Sequence, residues 1–442
     1  MYTLLTIGFI ACSPIHPDNN SPEYTLPDTF EGDVESATRY SDTSIDSAMD
    51  WYNDAARFEE DYEYTFTELP LAGRLSKTPW SGDYWAKNKG GMAYRWQTEE
   101  QFDYTVLTKD ELEYASPEDI ALLSPTEKYD LYVGNYDYAL THRVLAEGGD
   151  DEPSWAGYCH GWATAANRHE EPSPITVYNP DGLEIPFGSS DVKALLTYFE
   201  GDVVRSSFVG HDWSTTTYTI GTLCTSGDIM DPGCYDTNPG TFHLILSNRI
   251  GLMEEGFNMD VDKGYEKWNQ PVHSYRSSIL TTRPPTSFSD ERTVVEYIME
   301  TEVHWTVEIH PMWEPVLHTE YQKSESKTYI YSVEVDKDGQ VIGGQWLTEA
   351  DNGNYVNIEQ VYNYFSTLDE DGDGQPDMGE QEANLNTWHY FEMPDYLWYQ
   401  EDLSLDYDFE PLVGKYAILG TTSTSREDLF GYFGKLKDLL DE

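Results

Sequence analysis

The chain has 442 residues, enough for two or three domains, and carries 81 acidic against 26 basic residues, a formal net charge of −55. A surface of that sign repels polyanions, which argues against nucleic acid and anionic lipid as partners. Aromatic residues make up 14% of the chain, and this argues against a disordered acidic protein, because such residues supply a hydrophobic core.

The first 65 residues differ in composition from the rest. Residues 1–12 form a short apolar run ending in Ile-Ala-Cys12. The run predicts an export signal, either of the lipoprotein type with Cys12 lipidated or an ordinary one. We therefore expect an outer-membrane lipoprotein or a secreted or cell-surface protein. Residues 13–65, rich in Ser, Pro, Asp and Asn, predict a flexible acidic tether or a pro-segment.

Cys159 lies where a Gly- and aromatic-rich loop gives way to Cys-His-Gly-Trp-Ala-Thr-Ala-Ala166. The pattern predicts a helix that starts near the cysteine, with small residues that let it pack close to a neighbouring strand. The dipole and free N–H groups at a helix N-terminus favour a thiolate, so the position predicts an activated nucleophile. Papain-like enzymes place their nucleophile in this way.

Several other segments carry local structural signals. Ser124, Pro125 and Glu127 predict a capped helix start, residues 175–187 predict a hairpin turning at 179–182, and residues 190–199 predict an amphipathic helix. Cys224 and Cys234 bracket a short Gly/Asp/Pro loop. In an exported protein this spacing favours a disulfide, which leaves Cys159 as the unpaired thiol.

His243 follows the turn Asp-Thr-Asn-Pro-Gly and precedes alternating residues in which Phe242, Leu244 and Leu246 share one face. The alternation predicts a strand, with His243 at its start on the opposite face. Cysteine on a helix followed by histidine on a strand is the papain-like order, so the two residues are predicted to work as a pair. Residues 257–262 and 268–276 predict the next strand and its continuation.

The C-terminal third is predicted to be strand-rich. Residues 294–309 and 327–346 alternate, the second segment folding at 336–339, and a last amphipathic helix begins at Ser425. An acidic insertion at 349–388 contains a calcium-loop pattern. Glycine stands at its sixth position, and its predicted ligands are Asp369, Asp371, Asp373, Gln375, Asp377 and Glu380. The alternative is a solvated acidic linker.

Taken together, these motifs resemble the transglutaminase elicitor family, known from oomycetes and marine bacteria. The matching pieces are Pro79-Trp-x-Gly-x-Tyr-Trp85, Leu123-Ser-Pro-x-Glu-Lys-Tyr129, Tyr158-Cys-His-Gly-Trp-Ala-x-Ala-Ala166, Asp236-Thr-Asn-Pro-Gly-Thr-x-His243, Trp268-Asn-Gln-Pro-Val272, Gly343-Gly-x-Trp346 and Pro394-Asp-Tyr-Leu-Trp398. The resemblance implies a calcium-dependent transglutaminase with a papain-like core. The insertion at 349–388 and the residues His273-Ser-Tyr275 depart from the family pattern.

The implied fold is α+β, a papain-like cysteine-enzyme core with a helical, aromatic-rich N-terminal part and a strand-rich C-terminal part. We predict a catalytic region at 66–290, a strand-rich region at 291–348 and 389–442, and the calcium-loop insertion at 349–388. The predicted triad is Cys159, His243 and Asn269, because papain-like enzymes use an asparagine beside a tryptophan as the third residue. Asp260 and Asp262 are alternatives for that position.

Three functions remain open from the sequence. The first is cross-linking of protein glutamine to lysine through a cysteine thioester, with Ca²⁺ as cofactor and proteins carrying reactive Gln and Lys as partners. The second is a papain-like cysteine peptidase or amidase, in which water replaces the amine. The third is a surface binding module with an inactive site.

Overall fold

The computed structural model describes residues 49, 53–59, 61–204, 217–221, 237–261, 267–349, 354–357, 393–394, 396–400 and 431–440. The predicted export signal with Cys12, the Cys224–Cys234 loop and the calcium loop at 369–380 lie outside these residues. Among the described residues, no helix is both long and apolar enough to span a bilayer.

Short helices form the first part of the described chain. Thr108, Ser116 and Ser124 each begin one of them with a reciprocal capping box, in which the side chain three residues later bonds back to the cap. The predicted start at Ser124 is thus confirmed. The four helices are α1 (Lys109–Leu112), α2 (Pro117–Ala121), α3 (Pro125–Tyr132) and α4 (Ala139–Ala146).

The cysteine-bearing helix α5 (Cys159–Arg168) packs against α6 (Ser189–Tyr198) and the π-helical turn Phe199–Val204 that continues it. A Cβ on Gly161 would lie 2.1 Å from the Thr197 carbonyl oxygen, so only glycine permits this approach. The predicted helix start at Cys159 is confirmed, although Gly161 faces a helix and not a strand. The predicted hairpin is confirmed as β2 (Ile175–Tyr178) and β3 (Glu184–Phe187).

The segment around His243 corrects the sequence prediction. It forms a helix, α7 (Pro239–Ile245), which continues as a π-helix over Leu246–Met253. The Asn238 side chain caps α7 by accepting hydrogen bonds from the N–H groups of Gly240 and Thr241, and Pro239 occupies the first turn. The alternation was misleading because Phe242, His243, Leu244 and Ile245 are all buried, which leaves no exposed face to reveal a period.

Antiparallel strands form one sheet in the order β10-β9-β8-β7-β6-β5-β11-β4, and β1 pairs with residues 274–276 in the middle of β6. The predicted hairpin at 327–346 is confirmed with its turn at 336–339. Strands from both sides of the predicted boundary at 290/291 pair directly, since β6 and β7 are neighbours. The strands are β1 (Ala72–Arg74), β4 (Thr217–Gly221), β5 (Phe257–Asp260), β6 (Asn269–Arg283), β7 (Thr293–Thr306), β8 (Ser324–Asp336), β9 (Val341–Glu349), β10 (Tyr355–Asn357) and β11 (Tyr396–Gln400).

Two hydrophobic clusters hold these elements together. The helical cluster joins α3, α5, α6 and the 3₁₀ helix Phe433–Leu439, and the sheet cluster joins α7 to the large sheet. Ala55, Phe58 and Tyr62 are buried in the sheet cluster. The predicted tether at 13–65 therefore extends too far toward the C-terminus. Its residues between 55 and 62 contribute aromatic side chains to a core, which their local composition does not reveal.

Candidate active site

Cys159 is the first residue of α5 and is 6% exposed. The preceding residue, Tyr158, donates its N–H to the Tyr84 carbonyl oxygen at 2.6 Å, and Ile309 donates to the Gly82 carbonyl oxygen at 2.7 Å. A short segment from the aromatic motif at 79–85 thus lies between the start of α5 and the chain that follows β7. These main-chain contacts bring three distant parts of the sequence around one cysteine.

The thiol of Cys159 is neutral at physiological pH. Burial raises its pKa to about 11, assisted by the negative charges of Glu308 and Asp260 and opposed by hydrogen bonds from Asn269. The thiol donates to the Lys267 carbonyl oxygen at 3.2 Å. This corrects the expectation of an activated thiolate, because desolvation and nearby carboxylates outweigh the benefit of a helix N-terminus.

Asn269 contacts the nucleophile directly. Its Nδ2 lies 3.7 Å from the Cys159 Sγ, and its Oδ1 accepts hydrogen bonds from Trp398 Nε1 at 2.6 Å and Tyr396 Oη at 3.1 Å. The indole N–H can only donate, so it fixes the amide with oxygen toward Trp398 and nitrogen toward the sulfur. Asn269 therefore holds the sulfur, whereas the sequence prediction had it orient a histidine.

The structure does not bring His243 to this position. The side chain is fully buried, its Nδ1 lies 2.9 Å from the Tyr331 hydroxyl, and its ring stacks on Phe66 at 5.7 Å between centroids. Within the described residues its Nε2 has no hydrogen-bond partner. Burial lowers the pKa of His243 to about 4, so the ring is neutral. Of the three predicted triad residues, the structure joins Cys159 and Asn269.

Of the two alternatives for the third triad residue, Asp260 lies among the described residues and Asp262 does not. Asp260 is buried on β5, paired in register with Asn269, and its Oδ1 accepts the Trp268 N–H at 2.9 Å. It thus fixes the loop that carries the Lys267 carbonyl against the thiol.

Two other histidines near α5 have structural partners. His160 Nε2 lies 3.2 Å from the Gly201 carbonyl oxygen, and His169 Nε2 lies 2.8 Å from Glu200 Oε1 at the end of the helix. Both contacts join α5 to the π-helical turn that continues α6, and so fix the helix that carries Cys159.

Sequence reasoning missed a polar group beside the thiol. Glu308 is buried after the end of β7, and Gln270 Nε2 donates to its two carboxylate oxygens at 3.0 and 2.9 Å. Burial raises the pKa of Glu308, and the negative charge of the half-buried Asp83 raises it further. Burial also raises the pKa of Asp83, and the exposed His310 opposes that rise. Asp83 and Gln270 stand inside motifs recognised in the sequence, so those motifs offered a signal. Glu308 is 149 positions from Cys159 and offered none.

The described residues contain no cluster of three or more side chains suited to a metal ion. The predicted calcium ligands Asp369, Asp371, Asp373, Gln375, Asp377 and Glu380 lie outside them.

The site and fold define a class: a mixed helix and strand protein with a buried cysteine at the start of a helix, which contacts the first residue of a strand inside an antiparallel sheet. The transglutaminase elicitor family model matches residues 137–359, half of the chain, and the chain belongs to that family. The fold is similar to the crystal structure of the GP42 transglutaminase from Phytophthora sojae. The TM-score is 0.50 at 18% identity, over 80% of this chain and 91% of that one. The curated proteins contain no significant match.

Proposed function

We propose that this chain is an exported protein-glutamine γ-glutamyltransferase that forms a thioester at Cys159. The observation that carries the proposal is the Asn269 amide against the Cys159 sulfur at the start of a buried helix. A nucleophile fixed against a hydrogen-bond donor, with aromatic side chains around it, suits acyl transfer better than a structural thiol. Family membership supports the same reaction class.

The reaction follows from these groups. The thiol gives its proton to a base, and the sulfur attacks the side-chain carbonyl carbon of a glutamine. An S–C bond forms, the C–N bond breaks, and the nitrogen leaves as ammonia with the proton that the base returns. A neutral lysine amine then attacks the thioester, a C–N bond forms, the C–S bond breaks, and one N–H proton of the amine passes to the departing sulfur, which restores the thiol. Asn269 Nδ2, with the first-turn N–H groups of α5, is suited to stabilise the oxyanion in both halves.

The raised pKa of Cys159 has a consequence for activity. A neutral thiol is a weak nucleophile, so the free protein is proposed to be slow until substrate binding excludes water and brings a proton acceptor to the sulfur. The papain-like triad of Cys159, His243 and Asn269 remains a prediction that requires His243 to approach the sulfur. The alternative acceptor is one of the two carboxylates whose charges act on the thiol, Glu308 or Asp260.

One observation favours a second candidate function. A cysteine with a pKa of about 11 and no hydrogen bond to a histidine among the described residues is also what a surface binding module with an inactive site would contain. A papain-like peptidase or amidase has the same requirement for an activated thiol and differs only in using water as acceptor.

One assay separates these functions. The full-length protein is incubated with a glutamine peptide and a fluorescent primary amine, with and without calcium. Incorporation of the amine supports the transglutaminase, and release of ammonia without incorporation identifies a hydrolase. If neither product forms at any calcium concentration, the binding module is correct and the proposal fails.

The sequence is the basis for proposing where the enzyme acts and which cofactor it uses. Export, with a lipid anchor at Cys12 or without one, and a Cys224–Cys234 disulfide suit an enzyme that acts on extracellular proteins carrying reactive Gln and Lys. We propose calcium as the cofactor, held at 369–380 by the acidic ligands of that loop.

A further inference from the structure

Glu308, whose charge acts on the Cys159 thiol, lacks the basic partner that most other buried carboxylates have. Gln270 and its own main-chain N–H are the hydrogen-bond donors to Glu308, and no ion pair among the described residues includes it. Five other buried carboxylates are matched by a basic side chain: Glu127 with Arg95, Asp191 with Lys128, Glu171 with Lys193, Glu200 with Arg168 and Glu296 with Arg283. A buried carboxylate without a cation is costly, so the group either takes up a proton or binds a ligand that supplies the positive charge.

Three other buried carboxylates also have no ion pair among the described residues, and each accepts hydrogen bonds from neutral donors; Asp260 accepts the Trp268 N–H. Asp130 accepts from Thr141 and from the Leu140 main chain, and Glu334 accepts from Thr293 and the Asp290 main chain. Both groups belong to the hydrogen-bonding framework of the fold. Glu308 has no comparable set of donors, and its charged neighbours Asp83 and Glu325 carry the same sign.

Gln270 adds a second, independent observation. The residue is 2% exposed, and its Nε2 is committed to Glu308, but its Oε1 has no hydrogen-bond partner among the described residues. A buried amide oxygen without a donor is rare in folded proteins and calls for a ligand that donates. The group thus offers a carboxylate and a carbonyl oxygen and lacks a donor with positive charge.

We infer that Glu308 and Gln270 form the subsite for the amine of the acyl acceptor, with Glu308 as the group that takes its proton. The inference rests on the proposed function and deepens it. A primary ammonium has the required charge and N–H donors, one for the Glu308 carboxylate and another for the Gln270 Oε1. Gln270 directly follows Asn269, whose amide contacts the Cys159 sulfur. Ile309, next to Glu308, bonds to Gly82 in the segment that also bonds to Tyr158. The subsite therefore lies close to the thioester.

The proton balance of the step is complete. The ammonium gives one proton to the Glu308 carboxylate and becomes a neutral amine. Its nitrogen attacks the thioester carbonyl, a C–N bond forms and the C–S bond breaks. The second N–H proton passes to the departing sulfur, which restores the thiol, and Glu308 loses its proton to water. Burial raises the pKa of Glu308 to about 8 in the free protein. A bound ammonium favours the charged carboxylate, which can then accept the proton of the amine.

The test compares two amines on one acyl-enzyme. Cys159 is acylated with p-nitrophenyl acetate, and the rate at which the acyl-enzyme breaks down is measured with each of two amines. Cadaverine is protonated at neutral pH, and hydroxylamine is not. In the Glu308→Gln variant the cadaverine-dependent rate should fall about 100-fold, whereas the hydroxylamine-dependent rate should stay at the value of the parent protein. Glu300→Gln, an exposed glutamate on β7, is the matched control and should leave both rates unchanged.

A second readout does not depend on turnover. The charge of Glu308 raises the thiol pKa, so Glu308→Gln should lower that pKa and speed alkylation of Cys159 by iodoacetamide. If Glu308→Gln does not fold, Glu308→Asp, which keeps the charge on a shorter side chain, should slow aminolysis by cadaverine selectively. Parent-like cadaverine rates in a folded Glu308 variant overturn the inference alone. A parent protein that forms no acyl-enzyme overturns the proposed function as well.

Discussion

The side-chain amide of Asn269 lies 3.7 Å from the sulfur of Cys159, and its oxygen is held by Trp398 at 2.6 Å. Trp398 therefore determines which end of the amide meets the nucleophile. The family motif Trp-Asn-Gln-Pro supplies two polar side chains to the site, one against the sulfur and one against Glu308.

Replacement of the nucleophile gives the first prediction. Cys159→Ser should abolish incorporation of a fluorescent amine, because a hydroxyl is a far weaker nucleophile than a thiolate. The melting temperature should stay close to that of the parent, since serine differs from cysteine by one atom. Amine incorporation and thermal denaturation are measured on the same preparation. Retained incorporation by a folded variant would exclude Cys159 as the nucleophile.

Removal of the amide gives the second prediction. Asn269→Ala should lower amine incorporation about 100-fold, in the range of a lost oxyanion donor, and should raise the thiol pKa because the amide hydrogen bond lowers it. Trp398→Phe, which removes the indole N–H but keeps an aromatic ring, should give a smaller loss. An Asn269→Ala protein with parent-like kcat would mean that the amide has a structural role alone.

His243 provides a test between the sequence prediction and the structure. From its burial and its Tyr331 partner, His243→Ala should lower the free energy of unfolding by about 2–4 kcal/mol while the folded fraction remains active. Tyr331→Phe is the control, which removes the hydroxyl partner and keeps the ring. Complete loss of activity in a folded His243→Ala protein, with Tyr331→Phe active, would restore the predicted triad.

The thiol pKa predicts a pH dependence. Alkylation of Cys159 by iodoacetamide should keep rising with pH up to about 11, and mass spectrometry of its peptide measures the rate. The ordinary pKa is 9.0, so between that value and about 11 the folded state holds the proton more tightly. Stability should consequently fall as pH rises through this window. A plateau in the alkylation rate below pH 9 would contradict the burial argument.

The acidic insertion gives the last prediction. Calcium should raise the melting temperature of the parent, because it binds the folded loop and offsets the repulsion between its carboxylates. Asp371→Ala combined with Asp373→Ala should weaken calcium binding by calorimetric titration and leave calcium-saturated turnover within a few-fold of the parent. Asp338→Ala, in an exposed turn, is the control. Unchanged binding in the double variant would mean that the loop is a solvated linker.

The sequence predicted local structure well where a cap or a turn set it. Ser124 and the residues at 179–182 and 336–339 act through side chains within a few positions, so their signals are complete in one short segment. Residues 239–245 were mispredicted because burial on all sides removed the period that separates a helix from a strand.

The site itself was predictable in part. Cys159 and Asn269 stand in motifs of unusual composition, and the structure brings them together. The surroundings of the thiol were not predictable, since they depend on how strands far apart in sequence pair. Glu308 follows β7 and reaches the site because β7 pairs with β6, which no local pattern specifies. The raised thiol pKa follows from that same assembly.

The contact between Trp398 and Asn269 spans 129 positions, and β11 enters the sheet between β4 and β5. During synthesis, the Asn269 amide therefore lacks the hydrogen bond that fixes its orientation until Trp398 has left the ribosome and β11 has paired in the sheet. The helical cluster is completed later still, when Tyr129 donates to the Tyr432 carbonyl oxygen 303 positions away. The proposed chemistry at Cys159 therefore requires the C-terminal third of the chain to be in place before the Asn269 amide is oriented.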